Sequence, residues 1–191
     1  TSQDIEYVVP NTNMCQGCHD IDNTMTTLGP FTHQLNRLVT ESGSEVNQLT
    51  RLSNRSLFTD TIPAPDTLPA FADPYGDGDL NTRARSYLHA NCSHCHRPNG
   101  AASESGLVLL AWEDNPRTYG ICKEPAAAGL GTGGSSYDIL PGQADDSILV
   151  YRMTDLHPAS KMPELPNLRV DERGVALISE WVNSLEPVEC N

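Results

Sequence analysis

The sequence predicts a mainly α protein of two small modules with extensive loops, joined by a Pro-rich connector. Three observations carry that expectation. Apolar residues recur at helical spacing near both ends of the second half, Tyr87 and Leu88 in one segment and Val175, Ile178, Trp181, Val182 and Leu185 in the other. The run from Thr61 to Asp79 holds Pro63, Pro65, Pro69 and Pro74 and cannot be a regular helix. The pentapeptide C-x-x-C-H occurs once on either side of it, as Cys15-Gln16-Gly17-Cys18-His19 and Cys92-Ser93-His94-Cys95-His96. The modules are therefore drawn as 1–79, with the connector at about 61–79, and 80–191, with a Gly-rich insertion at about 101–140.

Taken in order, the first motif is followed by Leu28-Gly29-Pro30, and Ser44 to Phe58 places Val46, Leu49, Leu52 and Leu57 at near-helical spacing, which reads as one amphipathic helix. After the connector, Asn81 or Thr82 can cap a helix through Tyr87-Leu88-His89 that leads into Cys92. Asp171 caps the last helix, and the two helices should cross with Tyr87 and Leu88 against Leu177 and Trp181. Between them, Gly129-Leu130-Gly131-Thr132-Gly133-Gly134 lacks the Lys-Ser/Thr of a phosphate-binding loop and reads as a flexible insertion. Asp77-Gly78-Asp79-Leu80-Asn81 has the alternate-oxygen spacing of a calcium loop, but Leu88 stands where the twelfth-position glutamate should be, so turn and helix cap is the default.

C-x-x-C-H is the attachment signature of c-type haem. Two thiols on one turn add across the two vinyl groups of a porphyrin, and the adjacent histidine supplies the proximal iron ligand. Two motifs imply two covalent haems, on Cys15, Cys18 and His19 and on Cys92, Cys95 and His96. A structural zinc site would need a second pair to close one tetrahedron, whereas each pair here has its own histidine. A thioredoxin-like motif would follow a strand, and no strand-like run precedes either pair.

Composition agrees. Of 191 residues 38% are hydrophobic and 6% aromatic, low for a self-sufficient core, and two porphyrins would supply the missing apolar surface. No apolar run approaches the length of a membrane span; the longest, Gly106 to Trp112 and Ser147 to Met153, are far too short. The net charge of -13 excludes a nucleic-acid role for the bulk surface and favours basic redox partners. Haem attachment outside the cytoplasm implies a periplasmic or extracellular protein whose signal peptide has been removed. Four of the six cysteines serve haem; Cys122 and Cys190 remain and are expected to form a disulfide, worth roughly 3–5 kcal/mol in the chain-entropy account, the alternative being two unpaired thiols.

For the second iron, Lys161-Met162-Pro163-Glu164-Leu165 sets Met162 in an irregular segment able to swing a thioether over the distal face, while Met153 reads as core packing. For the first iron the candidates are Met25, His33, His89, His94 and His157, or an open position. Met25 lies six residues from His19, within about 20 Å of extended chain. His89, beside the second motif, is the residue assigned, with Met25 and His33 as alternatives.

With these residues in view, the chain resembles the bacterial exported diheme c-type cytochromes. The likeness runs through Arg83-Ala84-Arg85-Ser86-Tyr87-Leu88, Asn91 to Pro98, Tyr137-Asp138-Ile139-Leu140-Pro141-Gly142, Ser147 to Met153 and Met162 to Leu165, and more loosely through Cys15 to His19, Leu28-Gly29-Pro30, Gln34-Leu35-Asn36 and Asn47-Gln48-Leu49. The resemblance implies class I cytochrome c folds, His/Met ligation at Met162, and a Pro30 carbonyl that orients His19. It implies an electron carrier rather than an enzyme. Relatives often carry a β-rich domain before the first motif, and only fourteen residues precede Cys15 here, which points to an oligomer or a ligand from another chain. The competing functions are a subunit of an extracellular multi-haem filament and a peroxidase-type enzyme with an open first iron.

Overall fold

The computed structural model describes residues 7, 9–22, 24–126, 129–165 and 168–191. Among them are six α-helices and two two-stranded antiparallel sheets, with long loops between. Helix α1, Thr12–His19, starts where the Asn11 side chain accepts the Met14 N–H at 3.0 Å. The chain then folds straight back through β1, Asp20–Ile21, and β2, Thr24–Met25, with Asp20 opposite Met25. After the four-residue α2, Thr32–Leu35, come β3, Leu38–Glu41, and β4, Ser44–Asn47.

The single helix expected from Ser44 to Phe58 is instead this second strand followed by α3, Gln48–Asn54. Ser42 and Gly43 both have positive φ, the requirement of a tight two-residue hairpin, and pair Leu38 with Asn47. Asn47 then accepts the Leu49 N–H and starts α3 four residues later than a helix beginning at Ser44 would. Leu57 falls beyond the helix and is exposed.

The connector is irregular, as its prolines require, with one 3₁₀ turn at Pro65–Thr67. Asn36 anchors it. Its buried Nδ2 donates to the carbonyls of Pro65 and Leu68 at 2.7 and 2.8 Å, and its Oδ1 accepts from Asn47 Nδ2 at 2.8 Å.

The core lies in the second half, around α4, Leu80–Cys92, α5, Ile148–Thr154, and α6, Glu172–Ser184. Asp171 caps α6 as expected. For α4 the cap is Asp79, whose Oδ1 accepts both the N–H and the hydroxyl of Thr82, so that oxygen is committed to the helix. Asn81, expected as a cap, instead accepts the indole N–H of Trp181 at 3.0 Å and ties α4 to α6.

Tyr87, Leu88, Leu177 and Trp181 are all buried in this core. Tyr87 passes over Gly174, where an added Cβ would overlap the phenol oxygen, and its hydroxyl donates to Asp171 Oδ2 at 2.9 Å. Gly174→Ala should therefore displace Tyr87 and cost about 1–3 kcal/mol by overpacking, read as a lower thermal midpoint, with Tyr87→Leu in the same chain recovering part of the loss.

The Gly-rich segment packs rather than standing free: a 3₁₀ turn at Gly129–Thr132 lies beside α5, and a Cβ on Gly133 would come within 2.6 Å of the Tyr151 ring. Residues 127 and 128 of the insertion lie outside the described set. Cys122 and Cys190 form the expected disulfide, and Tyr137 Oη donates to the Cys190 carbonyl at 2.9 Å, fixing the chain's end to the second half. None of the described helices is long and apolar enough to cross a membrane.

In the first half, by contrast, Leu49 is the one described hydrophobic side chain that is fully buried, and Met25, Leu28, Phe31 and Leu38 are exposed. The helix-crossing frame of a class I cytochrome is expected in both halves, but the elements around the first motif are short helices and hairpins.

Candidate haem centre

The last turn of α4 delivers the second motif. Cys92 ends the helix, and the N–H groups of Cys95 and His96 both return to the Cys92 carbonyl, at 3.1 and 2.9 Å, so the thiols and imidazole emerge from one tight turn. They border a cavity of about 530 Å³. The segment Met162 to Leu165 lines the same cavity, and Leu109, Leu149 and Val175 add apolar wall. Met162 is held there by its own N–H, which donates to the Arg152 carbonyl at 2.8 Å. The cavity thus gathers the thiols of Cys18, Cys92 and Cys95, the imidazoles of His94 and His96 and the thioethers of Met14, Met153 and Met162 on a largely apolar lining, donors and surface of the kind a covalently held porphyrin requires.

Burial pushes His96 down to about 4, with Arg152 adding to the effect, so the imidazole is neutral at physiological pH and keeps a nitrogen lone pair for a metal. Ser105 Oγ lies 3.4 Å from its Nδ1. Burial also pushes the Cys92 and Cys95 thiols up to about 12, in Cys95 with the neighbouring Cys18 adding. Reactive redox thiols have the opposite shift, so these are poor thiol–disulfide exchangers. One ion pair, Lys123 with Asp138 at 2.9 Å, is set into the wall; burial raises Asp138 even so.

At the first motif, the His19 Nδ1 donates to a backbone carbonyl at 2.9 Å, which turns its Nε2 lone pair outward as an iron ligand needs. The carbonyl is that of Thr26 and not of Pro30. The β1–β2 hairpin brings Thr26 back beneath His19, and the Thr26 N–H donates in turn to the His19 carbonyl at 2.7 Å, so the orienting role expected of Pro30 is already filled four residues earlier.

The candidate distal ligands are scattered. Met25 is exposed on β2 beside the neighbour of His19. His33 lies 4.9 Å from Phe71 and 5.3 Å from Trp112 between ring centroids. His157 accepts the Ala159 N–H. His89 is 2% exposed and packed against Phe31, Phe71 and Trp112. Its Nδ1 accepts the Ala111 N–H at 3.1 Å, so the proton sits on Nε2 and neither nitrogen offers iron a lone pair. The assignment of His89 as first distal ligand therefore conflicts with its hydrogen bonding.

Burial holds His89 down at about 4, with His33 and Arg97 adding to the shift. A histidine that folding keeps neutral binds a proton more readily unfolded, so stability declines as pH falls from about 6.5 towards 4, by up to roughly 3 kcal/mol. His89→Phe should flatten the pH dependence of the thermal midpoint across that window.

One arrangement was not legible in the sequence. Cys18, His94 and Cys95 bring their ligand atoms within 4.8 Å of one another, so the two motifs, 77 residues apart in the chain, meet at equivalent cysteines. Each motif taken alone carries no signal for this; it follows from how the halves pack. No protein-family model, curated protein or solved structure matches the chain, and its function is read from these residues.

Proposed function

We propose that the chain is a diheme c-type cytochrome that transfers electrons outside the cytoplasm. The observation that carries the reading is the cavity that Cys92, Cys95, His96 and Met162 line together. When bound, haem supplies reversible one-electron chemistry at iron. The protein's part is to tether the group through the thiols, present a neutral His96 and the Met162 thioether, and exclude water with the apolar wall. His/Met ligation fills both axial positions and raises the reduction potential, which suits a carrier rather than an oxygen- or peroxide-binding site. For the first haem the support is the two thiols, the oriented His19, and exposed apolar residues around it that a porphyrin could cover. The Cys122–Cys190 disulfide fits an oxidising compartment, in keeping with export.

A zinc site at Cys18, His94 and Cys95 is the second reading, since these donors converge. It offers three ligands among the described residues and leaves Cys15, Cys92 and both motif histidines, His19 and His96, unused. Thioether formation and zinc binding exclude each other at Cys18 and Cys95.

Intact mass of the protein from a host that matures c-type cytochromes, with metal analysis and EPR of the oxidised form, tests the proposal. Two covalent haems with two low-spin ferric signals support it. One high-spin signal would move the reading to a peroxidase-type enzyme, and zinc without haem would overturn it. Sedimentation of the same sample separates a diffusing carrier, with basic redox partners, from a filament subunit.

A further inference from the structure

Arg97 follows the second motif directly, and the tight loop from Cys95 to Ala102 fixes it. The Gly100 N–H returns to the Arg97 carbonyl at 3.1 Å, and an added Cβ on Gly100 would stand 3.0 Å from the Arg97 side chain. The Nε and Nη2 of its guanidinium are buried and have no hydrogen-bond partner among the described residues. These two atoms form one edge of the fork that binds carboxylates in bidentate fashion. A guanidinium edge withdrawn from water without an acceptor is strongly unfavourable, so the geometry calls for an anion that the polypeptide does not provide.

Its direction is given by its neighbours. Arg97 is not among the residues lining the cavity at His96. It acts electrostatically on His89, which packs against Phe31 and Phe71, and on His94, which stands beside Cys18. Both histidines face residues of the first half. We propose that Arg97, although part of the second motif's loop, binds a propionate carboxylate of the first haem, locking the two halves together through that group. This rests on the two-haem reading. Among the described residues, Asp20 is the one carboxylate with a buried oxygen, Oδ1, that lacks a partner, and it makes no bond to Arg97.

The test is a redox titration of the diheme protein, with both haems verified by mass. Met162→His marks the wave of the second haem. Arg97→Gln should then shift the other wave to lower potential, because an unpaired propionate favours the ferric state, while Arg97→Lys, which keeps the charge, should shift it less and serves if the Gln variant does not accumulate. A shift confined to the Met162-dependent wave, or no shift in either, overturns the proposal. The Arg97→Gln shift should persist in an Asp20→Asn background; its loss there would assign the counter-charge to Asp20 and overturn the proposal equally. Absence of covalent haem in the parent protein would fail the two-haem reading itself, a distinct result.

Discussion

On the two-haem reading, Met162→His is expected to lower the reduction potential of one haem by roughly 0.2 V, a fraction of the roughly 0.8 V that axial ligands span, while the other wave stays in place. The thioether favours ferrous iron, and a second imidazole, the stronger donor, favours ferric. Met162 lines the same cavity as His96 on a segment pinned to Arg152, so a side chain of similar length enters from the same backbone position. Met162→Ala should instead leave the sixth position to water and convert one ferric signal from low to high spin. Potentiometry and EPR on the two variants read both outcomes; two unmoved waves in Met162→His would remove Met162 from the coordination sphere. A mere packing role would lower stability without changing spin state.

Cys190→Ser is expected to destabilise the protein by about 3–5 kcal/mol, measured by urea unfolding of the haem-loaded form against the parent. The bridge spans 68 positions, and loop closure of that length restricts the unfolded chain heavily. It also secures the last residues, which otherwise rely on the Tyr137 hydroxyl at the Cys190 carbonyl. Cys122 sits next to Ile121, whose bridge to Ile139 enters the core, so the loss should propagate to the wall that holds Lys123 and Asp138. Reduction of the parent should reproduce the effect. A loss below about 1 kcal/mol would mean that core packing alone holds the terminus.

The features legible in the sequence were those with local or countable signatures. The Cys122–Cys190 pair emerged by subtraction, the Asp171 cap from residue type and position, and the irregular connector from its prolines. The apolar spacing of Val46, Leu49 and Leu52 suits a helix, but the Ser42-Gly43 turn and Asn47 override it, because a turn needing positive φ and a side-chain cap act before a three-residue stripe can. Asn81 and Asp79 are both good caps by type, and only the indole of Trp181, a hundred positions away, separates their roles. The same holds at the candidate site. The motifs name the cysteines and proximal histidines, but the replacement of Pro30 by Thr26, the protonated Nε2 of His89 and the meeting of Cys18 with Cys95 depend on contacts that no spacing encodes.

That meeting bears on biogenesis. In an oxidising compartment, closure of the two halves sets the Cys18 and Cys95 sulfurs within 4.8 Å of each other, and an oxidant that joined them would take one sulfur from each attachment motif at once, a capture that the raised pKa of the Cys95 thiol slows. On the two-haem reading, tethering one prosthetic group before the two halves close removes one of these thiols and keeps the other for its own haem.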